Sequence, residues 1–145
     1  MPEKVFRFLT VAAVEAIHRE VLAAHGGMPG LRDRTLLEAA VAAPQATYGG
    51  EALIKDVIDV AAAYLFYLCR NHPFNDGNKR TALATCLVFL EVNESLPNPD
   101  LAGEHIDEWE ALILEIAASR MDRAHTSRRF KELLFGKYGS RRPKK

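Results

Sequence analysis

The sequence predicts an all-α fold, a compact helical bundle whose two most buried helices flank one polar loop. Three observations lead there. Apolar residues recur at helical spacing in segment after segment. Two runs, Asp56 to Arg70 and Asn78 to Val92, are apolar on nearly every side, the second after its first turn. No stretch alternates apolar and polar residues convincingly enough to read as a strand.

The elements follow in order. Thr10 reads as the N-cap of a first helix in which Val11, Val14, Ile17, Val21 and Leu22 fall on one stripe, ended by Gly26 and Gly27. Met28 to Arg32 is turn material. Asp33 caps a second helix carrying Leu36, Leu37, Ala40 and Val41, which stops before Pro44. Gln45 to Gly50 is a connection. The central helix then runs from about Asp56 to Arg70, enclosed by neighbours. Asn71 to Gly77 is a polar loop holding Pro73 and an Asp-Gly turn pair. A second buried helix spans Asn78 to Val92, followed by a loop from Asn93 to Gly103 with two prolines. Two amphipathic helices are expected near Ile106–Ser119 and Asp122–Phe135.

At 145 residues and 48% hydrophobic content, the chain suits one domain, assigned to residues 1–136, and is too apolar to be disordered over most of its length. Residues 137–145 are expected to form a basic, flexible tail, with Lys137, Arg141, Arg142, Lys144 and Lys145 among glycines and a proline. Nineteen basic and nineteen acidic residues balance to zero, which gives no general attraction to nucleic acid or to an anionic membrane. Cys69 and Cys86 lie inside apolar runs, without metal-ligand or CxxC spacing, and read as buried thiols in a reducing compartment. The start of the chain does not resemble a signal peptide, and the apolar runs are about half the roughly 20 residues that span a bilayer. A cytoplasmic location is the expectation.

The loop between the two buried helices carries the chemistry. His72, Asn75, Asp76, Asn78, Lys79 and Arg80 fall within nine positions. Gly77 to Arg80 lies where a helix begins, so unpaired backbone N–H groups and the positive end of the helix dipole favour a phosphate there. Gly77 lets the backbone approach an anion closely. Asn78 can cap the turn or bond a phosphate oxygen, while Lys79 and Arg80 add positive charge, Arg80 with a two-pronged grip. Asp76 offers a hard oxygen of the kind Mg2+ takes beside nucleotide phosphates. Histidine changes charge near neutrality, so His72 suits removal of a proton from a hydroxyl. Base, metal ligand and anion cradle together suffice for moving a phosphoryl or nucleotidyl group. Taken one at a time, the same residues would also make an ordinary proline turn with surface charges.

The segment HPFNDGNKR, His72 to Arg80, resembles the signature HPFx[D/E]GN[G/K]R of the Fic/Doc family. GGMPGLRD at Gly26–Asp33, LLEAAVAAPQATYGG at Leu36–Gly50 and RTALATCLVFLEVN at Arg80–Asn93 are similar to its death-on-curing (Doc) branch, and the likeness covers roughly Phe8 to Leu134. The resemblance implies that His72 is the general base, that Phe74 anchors the loop in the core, and that Asp76 holds Mg2+. It implies an anion hole from Gly77 and Asn78, with Lys79 and Arg80 on the phosphates of ATP. It also places a target-docking flap at the Gly26–Asp33 turn, with Gly27, Gly30, Arg32 and Asp33.

Two departures bear on which group moves. Members that transfer a nucleotide usually have glycine where Lys79 stands and a second arginine where Leu83 stands. Both differences match the Doc branch, in which ATP is thought to bind reversed and give up its terminal phosphate. Gly77 fits either branch. The resemblance therefore implies a toxin of a toxin–antitoxin pair, a protein kinase whose target is a translation elongation factor (elongation factor Tu) and whose action arrests growth. It further implies a cognate antitoxin whose tail fills a groove on the toxin. The inhibitory pattern [S/T]xxxE[G/N] of other Fic proteins has no match here. Transfer of AMP by the same loop, and a non-catalytic binding module, are the alternatives.

The remaining candidates carry less. His18, His25, His105 and His125 are scattered and read as surface or cap residues. Trp109 reads as core or groove lining, and Arg128, Arg129 and Lys131 as the solvated face of the last helix.

Overall fold

The computed structural model describes residues 5–97 and 106–136. Helix α1 spans Val11–His25 and α2 spans Arg34–Ala42. Both begin as the sequence indicates: Thr10 accepts a hydrogen bond from the Ala13 N–H, and Asp33 accepts one from the Leu36 N–H. Each cap satisfies a donor that the helix itself leaves unpaired. A short 3-10 turn, Ala43–Gln45, carries the chain past Pro44.

The connection that follows holds a departure in secondary structure. Thr47–Tyr48 (β1) and Glu51–Ala52 (β2) pair antiparallel as a small hairpin. Gly49 and Gly50 turn it with φ of 61° and 84°, the conformation a tight primed turn needs. With two residues per strand, there is no alternating pattern long enough to read.

Helix α3, Val57–Asn71, is the axis of the molecule. Asp56 caps it through the Ile58 and Asp59 N–H groups, and every residue from Val60 to Phe66 is buried. Ala61, Ala62 and Ala63 keep it slim, so α2 and the helices that follow can pack around it. Helix α4, Asn78–Val92, is less enclosed than its composition suggests. Thr81, Ala82, Thr85, Cys86, Phe89 and Leu90 are buried, whereas Leu83 and Leu87 are only half-buried. That open side borders the site. Helices α5 (Ile106–Ala117) and α6 (Arg123–Phe135, capped by Asp122) close the bundle, with Trp109 fully buried edge-on to Phe130 at 5.6 Å.

The segment before α1 is tied to the core. Phe8 stacks on Phe89 at 6.0 Å, and the Tyr64 hydroxyl accepts from the Leu9 N–H at 2.9 Å. Burial pushes the Cys69 thiol up to about 12 and raises Cys86 well above its ordinary value, so both stay protonated and inert. The basic tail at 137–145, His105 and the end of the proline loop lie outside the described residues. Among the described residues, no helix is long and apolar enough to cross a membrane.

Candidate active site

Helix α3 ends on His72, which adopts a left-handed conformation (φ 53°, ψ 54°) while its N–H still donates to the Leu68 carbonyl. The exposed imidazole therefore stands where the chain leaves the core. Two residues on, Phe74 turns back inward and is 2% exposed. The anchoring role implied for Phe74 matches this burial. Its ring stacks on His18 at 3.8 Å with only 7° between the planes.

His18 is a correction to the reading of the scattered histidines as surface or cap residues. It is 4% exposed, and its Nε2 donates to the Asp76 carbonyl at 2.8 Å. A carbonyl can only accept, so the proton sits on Nε2. One ring thus supports both the floor of the loop and its acidic residue. The signal was available: Val14, His18 and Val21 follow one another on a single helical stripe.

Of the two uses offered for the Asn78 side chain, closing the turn and bonding a phosphate oxygen, the structure shows the first. The side chain is buried, with Oδ1 accepting from the Phe74 N–H and Nδ2 donating to the Phe74 carbonyl, both at 2.9 Å. This closes the loop on itself, so the amide cannot reach a phosphate. What remains for an anion is backbone. Gly77 precedes α4 with φ 77° and no side chain caps that helix, whose first N–H groups have no partner within the helix itself.

The Gly26–Asp33 turn lies against the loop. The Asn75 N–H donates to the Gly30 carbonyl at 3.0 Å, the Arg32 N–H donates to the Pro73 carbonyl at 2.7 Å, and Leu31 pairs with Phe74 as an isolated antiparallel bridge. Gly27 and Gly30 sit at φ 129° and 102°. A Cβ on Gly27 would stand 3.0 Å from Asp76 Oδ2, and one on Gly30 would stand 2.9 Å from Asn75 Nδ2. Close approach and backbone conformation both demand glycine there. The side chains of Arg32 and Asp33, expected to dock a target, are used within the molecule. Arg32 donates from Nε to the His72 carbonyl and from Nη2 to the Asn71 carbonyl, and Asp33 caps α2. An extended segment has two edges, however, and this bridge uses only one.

Asp76 is exposed, and each carboxylate oxygen accepts one backbone N–H: Oδ2 from Met28 at 3.0 Å and Oδ1 from Gly77 at 2.9 Å. The Met28 bond first, then the Gly77 bond, with smaller help from His18 and Arg80, holds its carboxyl below the ordinary range. A charged carboxylate with spare lone pairs suits Mg2+ that arrives with a nucleotide, since that ion needs only one or two protein oxygens beside phosphates and water. Among the described residues, no cluster of three or more His, Cys, Asp or Glu could cage a metal by itself.

Two cavities meet at Lys79 and Arg80. The first, about 230 Å³, is lined by His72, Asn75, Asp76, Gly77, Asn78, Lys79 and Arg80. The second, about 440 Å³, has mostly apolar walls, including Leu83, Trp109, Ile113 and Leu114, with His25 and Glu110 at its polar parts. Trp109 is both core and wall of this ligand-sized space, and His25, exposed at the end of α1, borders it. Lys79 and Arg80 are exposed, and neither pairs with a carboxylate among the described residues. Two exposed cations at a helix start, beside an imidazole and a carboxylate, are the groups that a phosphate cradle needs.

Comparison with known proteins gives the family. The model of the Fic/DOC family matches residues 8–90. "Toxin Doc" of Mycolicibacterium smegmatis is 44% identical over 100 residues, 68% of this chain and 74% of that protein. "Protein kinase doc" of Escherichia phage P1 is 38% identical over 98 residues, 66% of this chain and 77% of that protein.

Proposed function

The chain belongs to the Fic/DOC family, and from that premise we propose that it is a Doc-type toxin, a protein kinase that moves the terminal phosphate of ATP onto a hydroxyl of a target protein. The observation that carries this reading is the junction of the two cavities at Lys79 and Arg80. On one side lies the polar space with His72, and on the other an apolar slot walled by Leu83 and Trp109. A triphosphate suits the polar side and a nucleoside suits the slot, which leaves the terminal phosphate on the side of His72. A second phosphate-binding arginine at position 83 would favour the opposite polarity, and Leu83 provides no such contact.

In this reaction His72 takes the proton of the target hydroxyl. The freed oxygen bonds to the terminal phosphorus as the bond from that phosphorus to the bridging oxygen breaks, and ADP leaves. The α4 start, Lys79 and Arg80 hold the negative charge in place throughout. Mg2+ bound with the nucleotide would be held by Asp76 and would supply further neutralisation of the phosphates. The outer edge of the Gly27–Arg32 segment offers backbone groups to an extended target strand. The names of the relatives support a cognate antitoxin as the controlling partner. A cytoplasmic translation elongation factor is the target this reading expects.

The test is transfer of label from ATP carrying it at the α or the γ phosphate, with cell lysate as target source and His72→Ala as control. Label from the γ position that depends on His72 is the expected outcome. Label from the α position would replace the reading with AMP transfer. No His72-dependent label from either, in protein freed of antitoxin, would leave a binding module.

A further inference from the structure

We propose that Arg32 is a positioning residue for His72, one that sets the base through its backbone. The proposal rests on the reading of His72 as the base. Three successive carbonyls at the end of α3 accept hydrogen bonds from this one residue. Asn71 accepts from Nη2 at 2.9 Å, His72 from Nε at 2.7 Å, and Pro73 from the backbone N–H at 2.7 Å.

Carbonyls at a helix C-terminus have no N–H partner within the helix, and a left-handed residue usually closes such an end. That residue is normally glycine, because a Cβ is disfavoured there. Here it is His72, at φ 53° and ψ 54°. The conformation that aims the imidazole outward is therefore one that histidine does not prefer alone. The planar fork of Arg32 grips the carbonyls on either side of the Asn71–His72 junction and holds the chain in it.

Arg32 is not part of the packed core. It is exposed, and its guanidinium pairs with no carboxylate among the described residues. Among the described residues, the guanidinium's hydrogen bonds go to the end of α3 and its cap. Lysine carries the same charge on a single donor centre and cannot reproduce the fork.

The experiment compares full-length Arg32→Ala and Arg32→Lys with wild type and His72→Ala. It uses γ-labelled ATP with lysate as target, alongside titration with a fluorescent ATP analogue and far-ultraviolet circular dichroism. Both Arg32 variants are expected to keep the helical spectrum and to bind nucleotide within about twofold of wild type. Their transfer rate should fall roughly 10- to 100-fold, the scale that a misplaced catalytic group costs. Millimolar ethylguanidinium should restore part of the Arg32→Ala rate and none of the His72→Ala rate. Transfer close to wild type, a fall matched by equal loss of nucleotide binding, or absence of rescue would each overturn the proposal. If wild type itself shows no His72-dependent transfer, the kinase reading fails separately. The hold on His72 is then decided by its Cα and Cβ chemical shifts: a change between wild type and Arg32→Ala supports it, and identical shifts refute it.

Discussion

His18 illustrates how one buried side chain can organise a site without touching a substrate. Replacing it with phenylalanine keeps a flat ring against Phe74 but removes the donor to the Asp76 carbonyl. We expect His18→Phe to lose about 1 kcal/mol of stability, the usual net value of one such bond, in urea denaturation followed by circular dichroism. The residue types that made the site legible were His72, Asp76, Lys79 and Arg80, whose chemistry is written in their side chains and whose spacing within one loop is local. The parts played by His18, Arg32 and Asn78 are harder to read because they depend on what the fold places beside them. Asn78 could have bonded a phosphate by its chemistry, and only the return of the chain at Phe74 uses up both ends of its amide. Arg32 reaches carbonyls about forty positions away, which no local pattern encodes.

At the level of elements, the caps of the first two helices were legible: Thr10 and Asp33 each accept the N–H three residues on, because a short polar side chain before an apolar stripe has few better uses. Asp56 and Asp122 cap their helices in the same way, although the sequence places them only at the start of each run. The hairpin at Thr47–Ala52 was less so, since two-residue strands hold no periodicity and only the Gly49-Gly50 pair marks the turn. Helix α4 read as fully enclosed because Leu83, Leu87 and Val88 are apolar, yet an apolar side chain can equally line a slot. The first turns of α4 are where the polarity of the nucleotide should be decided. A chain carrying Lys79→Gly and Leu83→Arg gains room at the anion cradle and a second phosphate grip. Hydrogen bonds to charged groups are worth roughly 1.5–3 kcal/mol, so the γ-label transfer should drop about tenfold or more and α-label transfer should appear. Assays with the two labelled forms of ATP read this directly.

For the molecule as a whole, the core around α3 is what gives the loop its rigidity. Phe89 joins that core to the segment before α1, with Phe6, Phe8 and Tyr64 around it at centroid distances of 5.3–6.3 Å. Phe89→Ala would open a cavity at a fully buried position and should cost roughly 3–5 kcal/mol. That is a large share of the roughly 5–15 kcal/mol by which domains hold together, so the urea midpoint should fall steeply. Fluorescence of Trp109, buried on a different helix, would report the loss in the same transition if the domain unfolds as one unit.

Three braces of the site are distant in sequence: Arg32 to His72 spans 40 residues, Met28 to Asp76 spans 48, and His18 to Asp76 spans 58. Contacts of that separation form only after the intervening chain has collapsed and docked. A nascent chain on the ribosome would therefore expose the whole His72–Arg80 motif before it had a working site. Emergence of the motif and onset of activity are separate events, and the interval between them belongs to folding.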